Sequence, residues 1–270
     1  MTIRLVAMDL DDTLLRDDRT ISPRVVEAIQ KAQAQGVKMT IATGRMSISA
    51  RPYAEQLGLD VPVITYHGAM IQQALSGDIL FRRVIPSALA AKIVRDVAGR
   101  GFYAQIYLKD RVFTPELNGW TRKYERIASV PPEQGDLASL LAQEPEGAEK
   151  ILLMAKEADL DRLAPLLRQR YGEKVHITKS KPCFLEIMDG SVDKGVALAA
   201  LAERFGIDRS EVMAIGDSYN DVEMINYAGL GVAMGNARLE IQNQADIITA
   251  SNEEDGVAEA IERYVLDRNM

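Results

Sequence analysis

Cysteine is almost missing from this chain. Cys183 is the only one in 270 residues, so no disulfide can form within it, and a reducing compartment is expected. No local base stands ready to activate that thiol, and a lone cysteine is ordinarily a small buried hydrophobe. A basic excess is missing too. Lys and Arg number 32 against 39 Asp and Glu, a net charge of −7, which argues against nucleic-acid binding, since that wants a basic stripe. It leaves room for a small anionic ligand, because a bound metal and a few cations can reverse the local field. Long apolar runs are absent as well. None approaches the length of a membrane span, and no basic segment with an apolar stretch behind it opens the chain. A soluble cytoplasmic protein, with no membrane partner, is the expectation. No fixed-period repeat is visible. What the chain does have is 47% hydrophobic residues, enough to bury a sizeable core in one large domain or two smaller ones.

The organising stretch lies at the start. Ile3 to Met8 is a short apolar run with one polar break, Arg4, and reads as a buried strand of a parallel sheet. It runs directly into Asp9-Leu10-Asp11-Asp12-Thr13. Three carboxylates in four residues at the end of an apolar strand repel one another and lose hydration. A divalent cation would remove much of that cost, and hard oxygen donors select Mg²⁺ or Ca²⁺ over zinc. The plainer alternative is a polar turn in which Asp12-Thr13 caps a helix.

Strand and helix then alternate. Ser22 and Pro23 open a helix that stops at Gly36, and Val37 to Ala42 is a strand ending in Thr43-Gly44-Arg45. A helix over Ile48 to Leu57 leads to a third strand, Pro62 to Tyr66, then His67-Gly68-Ala69 and a hairpin around Gly77-Asp78. From Pro86 the pattern changes to hairpins mixed with helices, which reads as an inserted α+β domain. Alternation resumes at Asp193-Lys194-Gly195, with a strand over Glu211 to Ile215 ending in Gly216-Asp217-Ser218-Tyr219-Asn220-Asp221. Ala237 to Ala245 reads as a helix and Val257 to Val265 as a terminal one. The fold class expected is α/β: a Rossmann-like three-layer core with a parallel sheet, residues 1–83 and 189–270, plus an inserted α+β cap over 84–188.

A parallel sheet gathers its strand ends on one edge. Asp9, Asp11, Thr43, Lys194, Asp217, Asn220 and Asp221 can therefore meet. Carboxylates, a hydroxyl and an ammonium are what phosphoryl transfer to a carboxylate requires. Each has a plainer reading: Thr43 and the Asp217–Asp221 cluster as helix caps. Lys194 at a helix start works against the helix dipole, which favours a functional reading. Gly229-Leu230-Gly231 with Gly235 fails the spacing of a dinucleotide loop.

These four segments, in this order, resemble the four motifs of the haloacid dehalogenase superfamily, and most of all its Cof-type sugar-phosphatase branch. The resemblance spans nearly the whole chain, including the large cap between the second and third motifs. It implies an Mg²⁺-dependent phosphatase acting on small phosphorylated metabolites, sugar phosphates foremost, with flavin-related phosphates also known in the branch. Asp9 would be the nucleophile that forms an aspartyl-phosphate, and Asp11 the general acid and then base. Asp9, the Asp11 carbonyl and Asp217 would ligate the metal, supported by Asn220 and Asp221. Thr43, Gly44 and Lys194 would bind the phosphoryl group. A phosphomutase and a non-enzymatic metabolite binder are the alternatives, and a monomer or homodimer is expected. One departure stands out: the family commonly has Asn-Gly-Ala where this chain has His67-Gly68-Ala69. His67 is read either as a substrate contact or as an exposed loop residue. Lys179, Ser180 and Lys181 are read as a solvated basic turn before a cleft-facing one.

Overall fold

Leu5–Met8 is buried at all four positions, as befits a strand with apolar side chains on both faces. It pairs in parallel with Val212–Gly216 on one side and Lys38–Ile41 on the other, Met8 lying opposite Ile215 and Ile41. Leu230–Ala233 and then Ile247–Ile248 extend the sheet beyond Val212–Gly216. A parallel bridge from Ala42 to Ile64 carries the register on to Pro62–Thr65, which pairs antiparallel with Met70–Gln73 in a three-stranded sheet completed by Ile79–Arg82.

Pro23–Ala34 is a helix because Ser22 accepts the Val25 N–H at 3.2 Å and Pro23 takes its first position, a cap worth about 1 kcal/mol. Its Val25, Ala28 and Ile29 join Val257 and Ile261 of the helix Gly256–Ile261 in one cluster with Val6, Met8, Met39, Ile41, Met213 and Ile215. Each such Val, Ile or Met side chain contributes about 1.5–3 kcal/mol on burial. The helices Lys194–Arg204 and Val222–Tyr227 pack on each other and against Pro62–Thr65 and Val212–Gly216. The sheet is thus the middle of three layers.

The structure is a computed structural model that describes residues 2–267. It divides into two units: one holds the chain up to Gly44, Ala50–Leu80 and the chain from Asp193, the other Arg45–Ser49 and Phe81–Val192. The second unit is therefore wider than the 84–188 expected. Arg82 is tied into it by Glu149 at 2.6 Å, and the Ser47 and Ile48 N–H groups donate to the Asp110 carboxylate at 2.9 and 2.8 Å. Its sheet runs Val175–Lys181, Phe184–Asp189, Lys150–Met154, Tyr103–Leu108, Arg111–Thr114, Glu133–Gln134. All neighbours are antiparallel except the last pair. Ile93, Ile106, Ile151, Leu163 and Ile187 form its core with the helices Ser87–Ala98, Leu137–Gln143 and Glu157–Tyr171. Lys150 and Glu186 form a buried pair at 2.7 Å, with the Lys150 ammonium 4.6 Å from the Tyr107 ring centroid. Lys179 pairs with Asp161 at 2.7 Å, so that part of the basic turn serves the unit's own helix.

Two elements depart from the sequence reading. Leu137–Gln143 had no assignment; Asp136 caps it by accepting the Ser139 N–H, and Leu137 and Leu141 bury one turn apart. The helix expected over Ala237 to Ala245 shrinks to Leu239–Gln242. Asn236 holds the preceding chain elsewhere, donating to the Asp12 carbonyl at 2.8 Å and accepting from the Asn252 N–H at 3.0 Å. Among the described residues no helix is long and apolar enough to cross a membrane.

Candidate active site

Asp9 continues the central strand, its N–H donating to the Ile215 carbonyl at 2.9 Å. The chain then breaks away: Asp11 is extended, and Asp12 takes a left-handed φ of 61°. Leu10 and Leu14, both buried, anchor the turn from below. Asp9 stays buried while Asp11 is half-exposed, so neighbouring carboxyl groups acquire different environments, the condition for giving them different chemical roles. Thr13, at the end of the turn, donates its hydroxyl to Asp217 Oδ1 at 2.8 Å.

Lys194 is the first residue of its helix, set there by Asp193, whose side chain accepts the Val196 N–H at 2.7 Å. A cation at a helix N-terminus costs about 0.3–1 kcal/mol, and Lys194 is in addition wholly buried. Two carboxylates offset both penalties: Lys194 Nζ donates to Asp9 Oδ1 at 2.5 Å and to Asp221 Oδ1 at 2.6 Å. Asp221 uses its other oxygen to accept the Asp217 and Ser218 N–H groups, each at 3.0 Å. It therefore ties the ammonium to the loop that carries Asp217.

Carboxylate oxygens of Asp9, Asp217 and Asp221 lie within 4.8 Å of one another. Burial pushes Asp9 up to about 8, against the pull of Lys194 and with help from Asp221. Burial also raises Asp217 well above the usual carboxylate range, reinforced by Asp221 and Asp9. Burial alone would depress the Lys194 ammonium, but Asp221 and Asp9 outweigh it and hold its pKa above the ordinary lysine value. Asn220 adds a buried Oδ1 with no hydrogen-bond partner among the described residues. Crowded carboxylates with one cation among them and an unsatisfied amide oxygen beside them make an oxygen-donor set that a hard divalent cation fits.

Asp9, Lys194, Asp217 and Asp221, expected together from the sequence, do converge. The Asp11 carboxylate stands outside the metal-competent cluster. Thr43 lies just past Lys38–Ile41, buried, its N–H donating to the Ile64 carbonyl at 2.9 Å. His67 is also buried, 1% exposed, so the exposed-loop reading does not hold. Thr13 was missed as an orienting group. Its only signal was a hydroxyl two residues beyond Asp11, which reads equally as a cap.

The family described as haloacid dehalogenase-like hydrolase matches residues 6–261. A Bacillus subtilis 5-amino-6-(5-phospho-D-ribitylamino)uracil phosphatase is 32% identical over 98% of this chain and 96% of its own. An Escherichia coli pyridoxal phosphate phosphatase is 29% identical over 98% of this chain and 100% of its own. The crystal structure of a haloacid dehalogenase-like hydrolase from Bacteroides thetaiotaomicron superimposes with a TM-score of 0.85 at 31% identity, covering 97% of this chain and 99% of that one.

Proposed function

The chain belongs to the haloacid dehalogenase-like hydrolases, and on that premise we propose an Mg²⁺-dependent phosphatase that hydrolyses small phosphorylated metabolites, sugar phosphates foremost, in the cytoplasm. The observation that carries this reading is the buried Lys194 ammonium shared between Asp9 and Asp221 beside Asp217. It is a nucleophile, a charge-neutralising cation and a cation-binding carboxylate set in one place.

A carboxylate oxygen of Asp9 attacks phosphorus, and the bond to the leaving oxygen breaks as Asp11 delivers its proton there. Asp11 then takes a proton from water as that water attacks the aspartyl-phosphate, releasing inorganic phosphate and restoring Asp9. Lys194 orients Asp9 and balances charge on the transferring group, with the Thr43 hydroxyl and the Gly44 N–H as further donors. Asp9 and Asp217, with the Asp11 carbonyl and with Asn220 and Asp221 in support, would hold Mg²⁺. When bound, the ion would supply neutralisation of charge on the phosphoryl oxygens, with Asp9 holding it as a carboxylate. Thr13 orients Asp217, as groups behind a metal ligand do. The relatives' names, one a ribityl phosphate and one a pyridoxal phosphate, support a small phosphomonoester as substrate. The acidic net charge of −7 supports a protein that works without nucleic acid, as a monomer or homodimer in this reading.

The test is release of inorganic phosphate from a panel of hexose, pentose, ribityl and pyridoxal phosphates, with Mg²⁺ and with chelator. Metal-dependent turnover of a few sugar phosphates is the expected result. Transfer of the phosphoryl group to a second position of the same sugar, without net phosphate release, would make the enzyme a mutase. Folded protein with no turnover of any kind would end the proposal.

Metal binding should depend on pH. Asp9 is held up at about 8 and must lose its proton to serve as a ligand, so each cation bound displaces a proton. Apparent Mg²⁺ affinity therefore rises with pH by roughly tenfold per unit for each proton displaced, because Asp217, raised by burial as well, must also be deprotonated to serve as a ligand. Calorimetric titrations below, near and above a pH of about 8 check this. An affinity flat across the range would contradict it.

A further inference from the structure

Tyr66, His67 and Gly68 take three successive left-handed φ angles, 51°, 56° and 98°. A residue with a side chain costs about 1–3 kcal/mol in such a conformation and stays there only where its surroundings over-determine it. Here both neighbours of the turn belong to the site. On one side the His67 N–H donates to the Thr43 carbonyl at 3.0 Å, while the Thr43 N–H donates to the Ile64 carbonyl at 2.9 Å. The main chain of Thr43 is thus fixed at both ends by the segment leading into this turn. The imidazole lies against the Gly44 Cα, so closely that a Cβ there would stand 2.1 Å from Cε1. On the other side a Cβ on Gly68 would stand 2.2 Å from the Asp193 carbonyl oxygen and 3.1 Å from the Ala197 Cβ. Asp193 is the cap that sets Lys194.

We propose that the Tyr66–Gly68 turn is a rigid spacer between the Thr43–Gly44 donors and the Lys194 ammonium, and that His67 is a positioning residue for the phosphoryl group. The inference rests on the phosphatase reading and adds to it. The donors and the ammonium must meet oxygens of one phosphoryl group, and a shift of about 1 Å at such a site costs up to about a hundredfold. His67 is buried, so its ring fills fixed space and works as a flat stop against Gly44. A methyl group in its place leaves a void into which the donor loop can move.

The experiment is calorimetric binding of inorganic phosphate to the Mg²⁺-loaded full-length protein, with KM and kcat alongside. His67→Ala is expected to weaken phosphate binding and raise KM by about tenfold, an order of magnitude short of the largest misplacement effects. His67→Phe keeps the flat ring and should stay within about threefold. Gly44→Ala, which drives a methyl into the imidazole, should cost about as much as His67→Ala. The double variant Gly44→Ala, His67→Ala should bind no worse than the weaker single, because the ring that the added methyl would strike is no longer there. A merely structural role would lower the melting temperature of His67→Ala yet leave phosphate affinity and KM unchanged in the folded protein, and that result overturns the proposal. So would strictly additive losses in the double variant. Wild-type protein that binds Mg²⁺ but not phosphate would instead overturn the phosphatase reading beneath it. Should His67→Ala not fold, Gly44→Ala and His67→Phe carry the comparison.

Discussion

Asp9→Asn abolishes phosphate release and leaves the protein folded. The amide matches the carboxylate in shape but cannot attack phosphorus, so the covalent route closes. The expected loss is about 10⁴-fold or more, the scale seen when a nucleophile is removed from a site whose parts act as a unit. The fold has little reason to suffer. Asp9 is one of three carboxylates whose oxygens crowd within 4.8 Å, and burial with Asp221 raises its pKa, so a neutral side chain there relieves repulsion. Lys194 keeps Asp221 at 2.6 Å. Thermal unfolding should therefore give a midpoint equal to or above that of the parent protein. Activity within about tenfold of wild type would mean that the phosphoryl group never rests on Asp9.

Lys194→Ala strikes at both function and stability. The lysine is wholly buried between two acids, and breaking a buried pair by removing one partner costs about 3–5 kcal/mol, since the remaining charges stay buried without compensation. The vacated volume adds to that. Activity should fall by at least about a hundredfold, the usual loss for one group that stabilises developing charge. Saturating Mg²⁺ should restore part of the stability, because a second cation can balance Asp9 and Asp221, but little of the rate, because no ammonium is left to orient Asp9. Chemical denaturation with and without Mg²⁺ beside kcat measurements separates the two effects. A variant as stable as the parent protein without metal would show that the pair contributes nothing net.

The core was legible in the sequence because its signals are local. The Ile3-to-Met8 run, the Ser22-Pro23 start and the polar residues at each strand's end are all short-range patterns, and parallel topology then brings the ends together. What escaped was set by distant partners. Nothing near Thr13 in sequence tells that its hydroxyl meets Asp217. Asp221 reads as a capping residue until Lys194 is seen against it. The burial of His67 depends on a left-handed turn that a Tyr-His pair does not advertise. The second unit's edges moved because Arg82 and Arg45–Ser49 are held by side chains far along the chain, Glu149 and Asp110. The short helix Leu137–Gln143 has a cap and an apolar pair that are local signals, but it spans fewer than two full periods of an apolar stripe, too short for periodicity to mark it.

The strand order has a consequence for synthesis. Leu5–Met8 leaves the ribosome well before Val212–Gly216, the strand that supplies one of its two hydrogen-bonding edges. At about 5–20 residues per second, that partner arrives on the order of tens of seconds later. Throughout that interval an apolar strand with Asp9 at its end presents an unpaired edge, the template on which chains aggregate. The second unit, with its own sheet and core, is complete before then and can fold while the first still waits. The first unit is thus begun before the second and finished after it, and its yield in a cell rests on how well that one open edge is guarded meanwhile.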